Sequence, residues 1–146
     1  MGTTISALLI SGDRAIVAQV GDSRVYRVSD EKLEQLTQDH TLIAWQLKQG
    51  LITEEEAIVS PHRNVITRAV GNRDYVEVDT RVLDLSPGDC FLLCSDGLHG
   101  YVHDEDIVPI LKQGGEKTVK SFVDLANSRG GRDNITAIIV EIFEGE

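Results

Sequence analysis

Apolar and polar positions alternate with a period of two along the first third of the chain. Thr4 to Ile10 is apolar and β-branched, Ala15 to Val20 alternates, and Arg24 to Val28 alternates again, so three strands are predicted. Ser11-Gly12-Asp13 and Gly21-Asp22-Ser23 supply the turns. Lys32 to Thr37 carries Leu33 and Leu36 out of phase and reads as a short fourth strand. The four together are expected to form an antiparallel meander.

From Thr41 the period changes to that of a helix, with Leu42, Ile43, Trp45 and Leu47 recurring up to Gly50 at the C-terminal end. Thr53 followed by Glu56 is a capping-box pattern, which predicts a second short helix over Glu54 to Val59, stopped by Pro61. The segment from Asp39 to Gly71 is therefore an excursion from the sheet. Strands are expected again at Tyr75 to Leu83 and Asp89 to Cys94, around the turn Ser86-Pro87-Gly88-Asp89. A helix follows from about Asp104, short or bent because Pro109 removes a backbone hydrogen bond. Another begins at Lys117, where Val119, Phe122, Val123 and Ala126 form an i, i+3, i+4, i+7 stripe. The last strand, Ile135 to Ile142, is rich enough in Ile and Val to be central and buried on both faces. Many strands with inserted and trailing helices predict an α+β sandwich, its sheets covered by helices.

Composition narrows the picture. The chain has 146 residues, 41% of them hydrophobic, which suits a single domain over residues 1–146. Its longest apolar runs fall far short of the ~20 residues a bilayer demands, so no membrane role is expected. The N-terminal residues lack a secretory pattern, and a cytoplasmic location is expected. With 24 acidic against 14 basic residues the net charge is −10, which argues against nucleic acid as a partner because backbone phosphates are repelled. Cys90 and Cys94 stand four apart in one predicted strand, about 13 Å at 3.3 Å per residue, too far to bond to each other.

Three aspartates stand at strand ends in glycine-containing turns: Asp22, Asp96 in Ser95-Asp96-Gly97-Leu98, and Asp133 in Gly131-Arg132-Asp133-Asn134. Singly, each is an ordinary turn signature. Collectively they say more, because Asp96 follows one apolar strand and Asp133 precedes another, so neighbouring strands would bring both carboxylates to one rim. Converging carboxylates repel unless a cation neutralises them. Oxygen donors without a matched His or Cys set imply magnesium, manganese or calcium rather than zinc or copper.

In order along the chain, Met1-Gly2-Thr3-Thr4, Gly21-Asp22-Ser23-Arg24, Thr37-Gln38-Asp39-His40-Thr41, Leu93-Cys94-Ser95-Asp96-Gly97-Leu98 and Gly131-Arg132-Asp133-Asn134-Ile135-Thr136 resemble the motifs of bacterial type 2C protein phosphatases, the PPM family. The resemblance covers essentially the whole chain and implies a partial four-layer sandwich, two antiparallel sheets flanked by helices. It implies that Asp96 and Asp133 bind the catalytic Mg or Mn ions, that Asp22 with Asp96 forms a third and weaker site, and that a metal-activated water hydrolyses phosphoserine and phosphothreonine in protein substrates. The excursion over about 39–71 resembles the flap beside the active site, where His62 and Arg63 are candidates for meeting a phosphoprotein. His40 receives no catalytic role.

The family's R-x-x-N-[EQ]-D and D-G-x-G-G segments have no counterpart here. That departure implies an N-terminally truncated phosphatase, poorly active alone, or a non-catalytic phosphatase-like module that binds or regulates. It also implies uncovered sheet faces or edges, and so a homo-oligomer.

Overall fold

The computed structural model describes residues 1–131 and 133–145. Arg132, within the last of the motifs, lies outside the described residues. Among the described residues, seven strands and five helices follow one another as β1 (Ile5–Ser11), β2 (Arg14–Val20), β3 (Arg24–Ser29), β4 (Lys32–Gln35), α1 (Leu42–Lys48), α2 (Glu54–Val59), β5 (Asp79–Asp84), β6 (Cys90–Cys94), α3 (Asp96–His99), α4 (Asp104–Leu111), α5 (Glu116–Ser128) and β7 (Ala137–Glu141). They form two antiparallel sheets, one ordered β1-β2-β5 and the other β4-β3-β6-β7.

The expected meander is therefore split. β1 pairs with β2 and β3 with β4, but the two hairpins belong to different sheets, and Gly21-Asp22-Ser23 crosses from one to the other. Burial explains the split: Ala15, Val17, Val25, Leu36, Leu83, Phe91 and Leu93 share one core between the sheets, so β2 and β3 face each other instead of lying side by side. A second core lies on the other face of the larger sheet, where Tyr26, Leu92 and Cys94 meet Leu98, Ile107, Leu111, Phe122 and Ala126 of the helices. The period of two sorts β6 between them, Phe91 and Leu93 to one core, Leu92 and Cys94 to the other. The layers are thus helices, four-stranded sheet, three-stranded sheet. The outer face of the smaller sheet leaves Ile5, Leu9 and Val82 exposed.

Local sequence accounts for the excursion between β4 and β5. Thr41 caps α1 by accepting the Ala44 N–H at 3.1 Å, and Thr53 caps α2 by accepting that of Glu56 at 3.2 Å. Isolated bridges Thr41–Ile66 and Thr3–Val70 return the chain toward the sheets.

Two further expectations are corrected. Tyr75 to Val78 is not strand: β2 ends at Val20 and its ladder with β5 begins at the Gln19–Asp79 pair, so the earlier residues find no partner and Tyr75 stays exposed. β7 is not central, since among the described residues it pairs with β6 alone, and Ile138 is 54% exposed. The free thiols of Cys90 and Cys94 both face the helical core, as their spacing requires. Pro109 lies inside α4 without breaking it.

Candidate metal centre

Strands β6 and β7 end side by side, with Cys94 opposite Ala137, and the pairing continues past the ladder. The Ser95 N–H donates to the Thr136 carbonyl at 3.1 Å and the Thr136 N–H donates to Ser95 Oγ at 3.0 Å. Ser95 Oγ also donates to the Asn134 carbonyl at 3.3 Å. These bonds fix the start of α3, and so Asp96, against the loop carrying Asp133. The approach is close enough to require glycine: a Cβ on Gly97 would lie 2.0 Å from the Asn134 carbonyl oxygen. Asp133 itself is exposed, and its Oδ1 accepts the Asn134 N–H at 2.7 Å.

Asp22 reaches the same rim from the crossover between sheets. Its carboxyl is held above the usual carboxylate range, first by burial and then by the negative charge of Asp96. Structure thus brings Asp96 together with Asp133 through adjoining strands and with Asp22 through the crossover. Among the described residues no three His, Cys, Asp or Glu side chains converge as a ready metal cage. Paired carboxylates completed by water and a phosphate group are nonetheless an ordinary magnesium donor set. The donors of Asp22, Asp96 and Asp133 are carboxylate oxygens with no thiolate or imidazole among them, and on that ground the residues fit a hard divalent ion.

Further residues around this rim were not assigned a role from the sequence. Arg24 grips Asp39 through two parallel bonds, Nε to Oδ1 at 2.9 Å and Nη2 to Oδ2 at 2.6 Å, while Nη1 donates to the Tyr26 hydroxyl at 2.8 Å. Burial pushes that phenol up to about 12 in pKa, even against the neighbouring guanidinium. His40 is buried; its Nδ1 accepts the Gly21 N–H at 2.9 Å, so Nε2 carries the proton and donates to Asp79 Oδ2 at 2.7 Å. Arg68 holds the other oxygen of Asp79 at 2.9 Å. His99, at the end of α3, donates from Nε2 to the Asp22 carbonyl at 2.7 Å, and burial lowers its pKa, favouring the neutral ring. Periodicity marks Arg24 and Tyr26 as sharing a face, but nothing in the local pattern links positions 24 and 39, or 22 and 99. A cleft of 570 Å³ opens beside them, lined by Arg24, His99, Val102, His103, Asp104 and Glu105. His62 and Arg63 are exposed in the turn after α2, within the excursion.

The chain is a two-sheet α+β sandwich with helices against one sheet and aspartates at its strand ends. Residues 1–128 match the family described as Protein phosphatase 2C, and the chain belongs to that family. It is 42% identical over 143 residues to the serine/threonine phosphatase stp of Listeria monocytogenes, covering 97% of this chain and 57% of that protein. Among solved structures it resembles the Mycobacterium tuberculosis serine/threonine phosphatase PstP/Ppp, with a TM-score of 0.92 and 36% identity over 99% of this chain and 61% of the other. A second PstP catalytic-domain structure, in complex with two manganese ions, matches with a TM-score of 0.83, 36% identity, and coverage of 99% and 60%. The chain thus spans less than two thirds of the length of these relatives.

Proposed function

We propose that this chain is part of a metal-dependent protein serine/threonine phosphatase and supplies one side of its cation site. The observation that carries the reading is the placement of Asp96 between two other aspartate-bearing segments: its helix start is bonded to the loop of Asp133, and its charge acts on the carboxyl of Asp22. Asp96 and Asp133 hold the principal Mg or Mn ions, and Asp22 with Asp96 holds an outlying one. When bound, such ions activate water for attack on a phosphomonoester at neutral pH. The relatives named as serine/threonine phosphatases, and the one solved with two manganese ions, support the substrate class and the metal. Phosphoserine and phosphothreonine proteins are the proposed substrates, and the excursion over about 39–71 is the proposed flap that meets them.

The described residues contain no helix long and apolar enough to cross a membrane. Exposed Ile5, Leu9 and Val82 on the outer sheet face support self-association, which light scattering over a concentration series tests.

The second reading, a phosphatase-like binding module, is favoured by the lack of three convergent ligands among the described residues. Calorimetric titration with manganese and hydrolysis of a phosphothreonine peptide, each run on the parent and on Asp96→Asn, separate the two. Manganese-dependent turnover lost in Asp96→Asn supports the enzyme, and cation binding without turnover supports the module. Equal manganese binding by the two proteins overturns the metal reading altogether.

A further inference from the structure

The turn that carries Asp22 is held on both sides by histidine rings. Gly21 gives its N–H to His40 Nδ1 at 2.9 Å, and its carbonyl accepts the His40 N–H at 2.9 Å and Gln19 Nε2 at 2.9 Å. Gln19 Nε2 also donates to the Ser23 carbonyl. The remaining carbonyl, that of Asp22, accepts from His99 Nε2 at 2.7 Å. His99 differs from the others in where it comes from. It lies three residues after Asp96 on the short helix α3, and side chains three apart on a helix stand over the same face. One end of α3 therefore carries a candidate ligand, and the other grips the backbone of a second candidate ligand from 77 residues earlier in the chain.

We infer that His99 is a positioning residue, whose Nε2–H bond to the Asp22 carbonyl sets the separation of the Asp22 and Asp96 carboxylates and thereby the affinity of the divalent cation they share. The inference rests on reading that pair as a cation site. His99 does not touch the cation; it acts through the peptide that bears the ligand. Groups behind the ligands of a metal site commonly govern affinity in this way. His40 secures the Gly21 side of the turn against Asp79 of β5, so the hinge left free by loss of His99 is the Asp22 carbonyl side.

The test is calorimetric titration with manganese alone, on the parent chain, His99→Leu, His99→Gln and Asp96→Asn, each first shown by thermal melting to be folded. His99→Leu removes the donor and is expected to weaken the shared site about tenfold, the lower end for lost outer partners. His99→Gln returns an N–H near the place of Nε2 and is expected to recover most of that loss. If His99→Leu does not fold, His99→Ala takes its place. Should Asp96→Asn weaken binding while the folded donor-free variant binds as the parent does, the inference fails and the metal reading stands. Failure of Gln to recover any affinity also overturns it, because the ring would then act by bulk rather than by donation. If Asp96→Asn itself binds as the parent does, the metal reading fails first.

Discussion

Replacing Gly97 by alanine tests how tightly α3 is held against the loop before β7. The added Cβ would lie 2.0 Å from the Asn134 carbonyl oxygen and 2.9 Å from its carbon, both backbone atoms that no side-chain rotation can move aside. A carbon–oxygen contact relaxes at about 3.3 Å, so the two segments must part by about 1.3 Å. Overpacking of this kind costs about 1–3 kcal/mol, and contact with backbone atoms that cannot rotate aside places it near the top. Alanine's better helix propensity offsets about 1 kcal/mol. A net loss of about 2 kcal/mol follows, which for a domain of this size lowers Tm by about 4–8 °C. The displacement also pulls Asp96 away from Asp133, since Gly97 adjoins the one and packs against the other, so manganese affinity should fall with stability. Differential scanning calorimetry, with and without manganese, reads both. A Gly97→Ala protein melting at or above the parent temperature, with unchanged cation stabilisation, would refute the close approach and the rim geometry built upon it.

Arg24 and Asp39 are largely shielded from water, with side chains 24% and 15% exposed, so removing either alone should cost about 2–3 kcal/mol, between the values for exposed and buried pairs. The double variant should cost clearly less than the sum; additivity in urea denaturation would show that the pair is not coupled. Asp79 is held below the usual carboxylate range, chiefly by the His40 hydrogen bond and then by Arg68. Its stabilising contribution is therefore complete above the unfolded pKa and lost as pH falls through the folded one, and urea midpoints across pH 2–6 should lose this acid-side slope in Asp79→Asn. Asp22 has the opposite sign: its folded pKa is raised, so its ionisation destabilises the cation-free fold as pH rises through that value. Asp22→Asn should melt higher than the parent at pH 7 without cations and gain less when manganese is added; a lower melting temperature without cations would contradict the strained pair.

What the sequence makes legible here is whatever is settled within a few residues. Thr53 with Glu56 marks α2 because a cap and its partner are three positions apart, and the acidic rim is legible because Asp96 and Asp133 abut strands that turn out to be neighbours. Alternation shows that Val17 and Val25 are buried, but not that they face each other, since a buried face does not name what lies across it. The Ile and Val of β7 suit a central strand equally well whether or not a second neighbour is present, so its pairing with β6 alone among the described residues was invisible. α3 spans four residues, about one turn, and one turn leaves no period to detect. The histidines are the hardest case. His40 accepts from a backbone amide 19 residues away, and His99 donates to a carbonyl 77 residues away, so identical side chains do opposite work on adjoining residues. Each ring offers one acceptor and one donor when neutral, and which nitrogen is used depends on the backbone atom that the fold delivers to it. The resemblance of its motif to the family's marks Asp22 as a candidate ligand; what holds that residue in place is decided by contacts between segments remote in the chain.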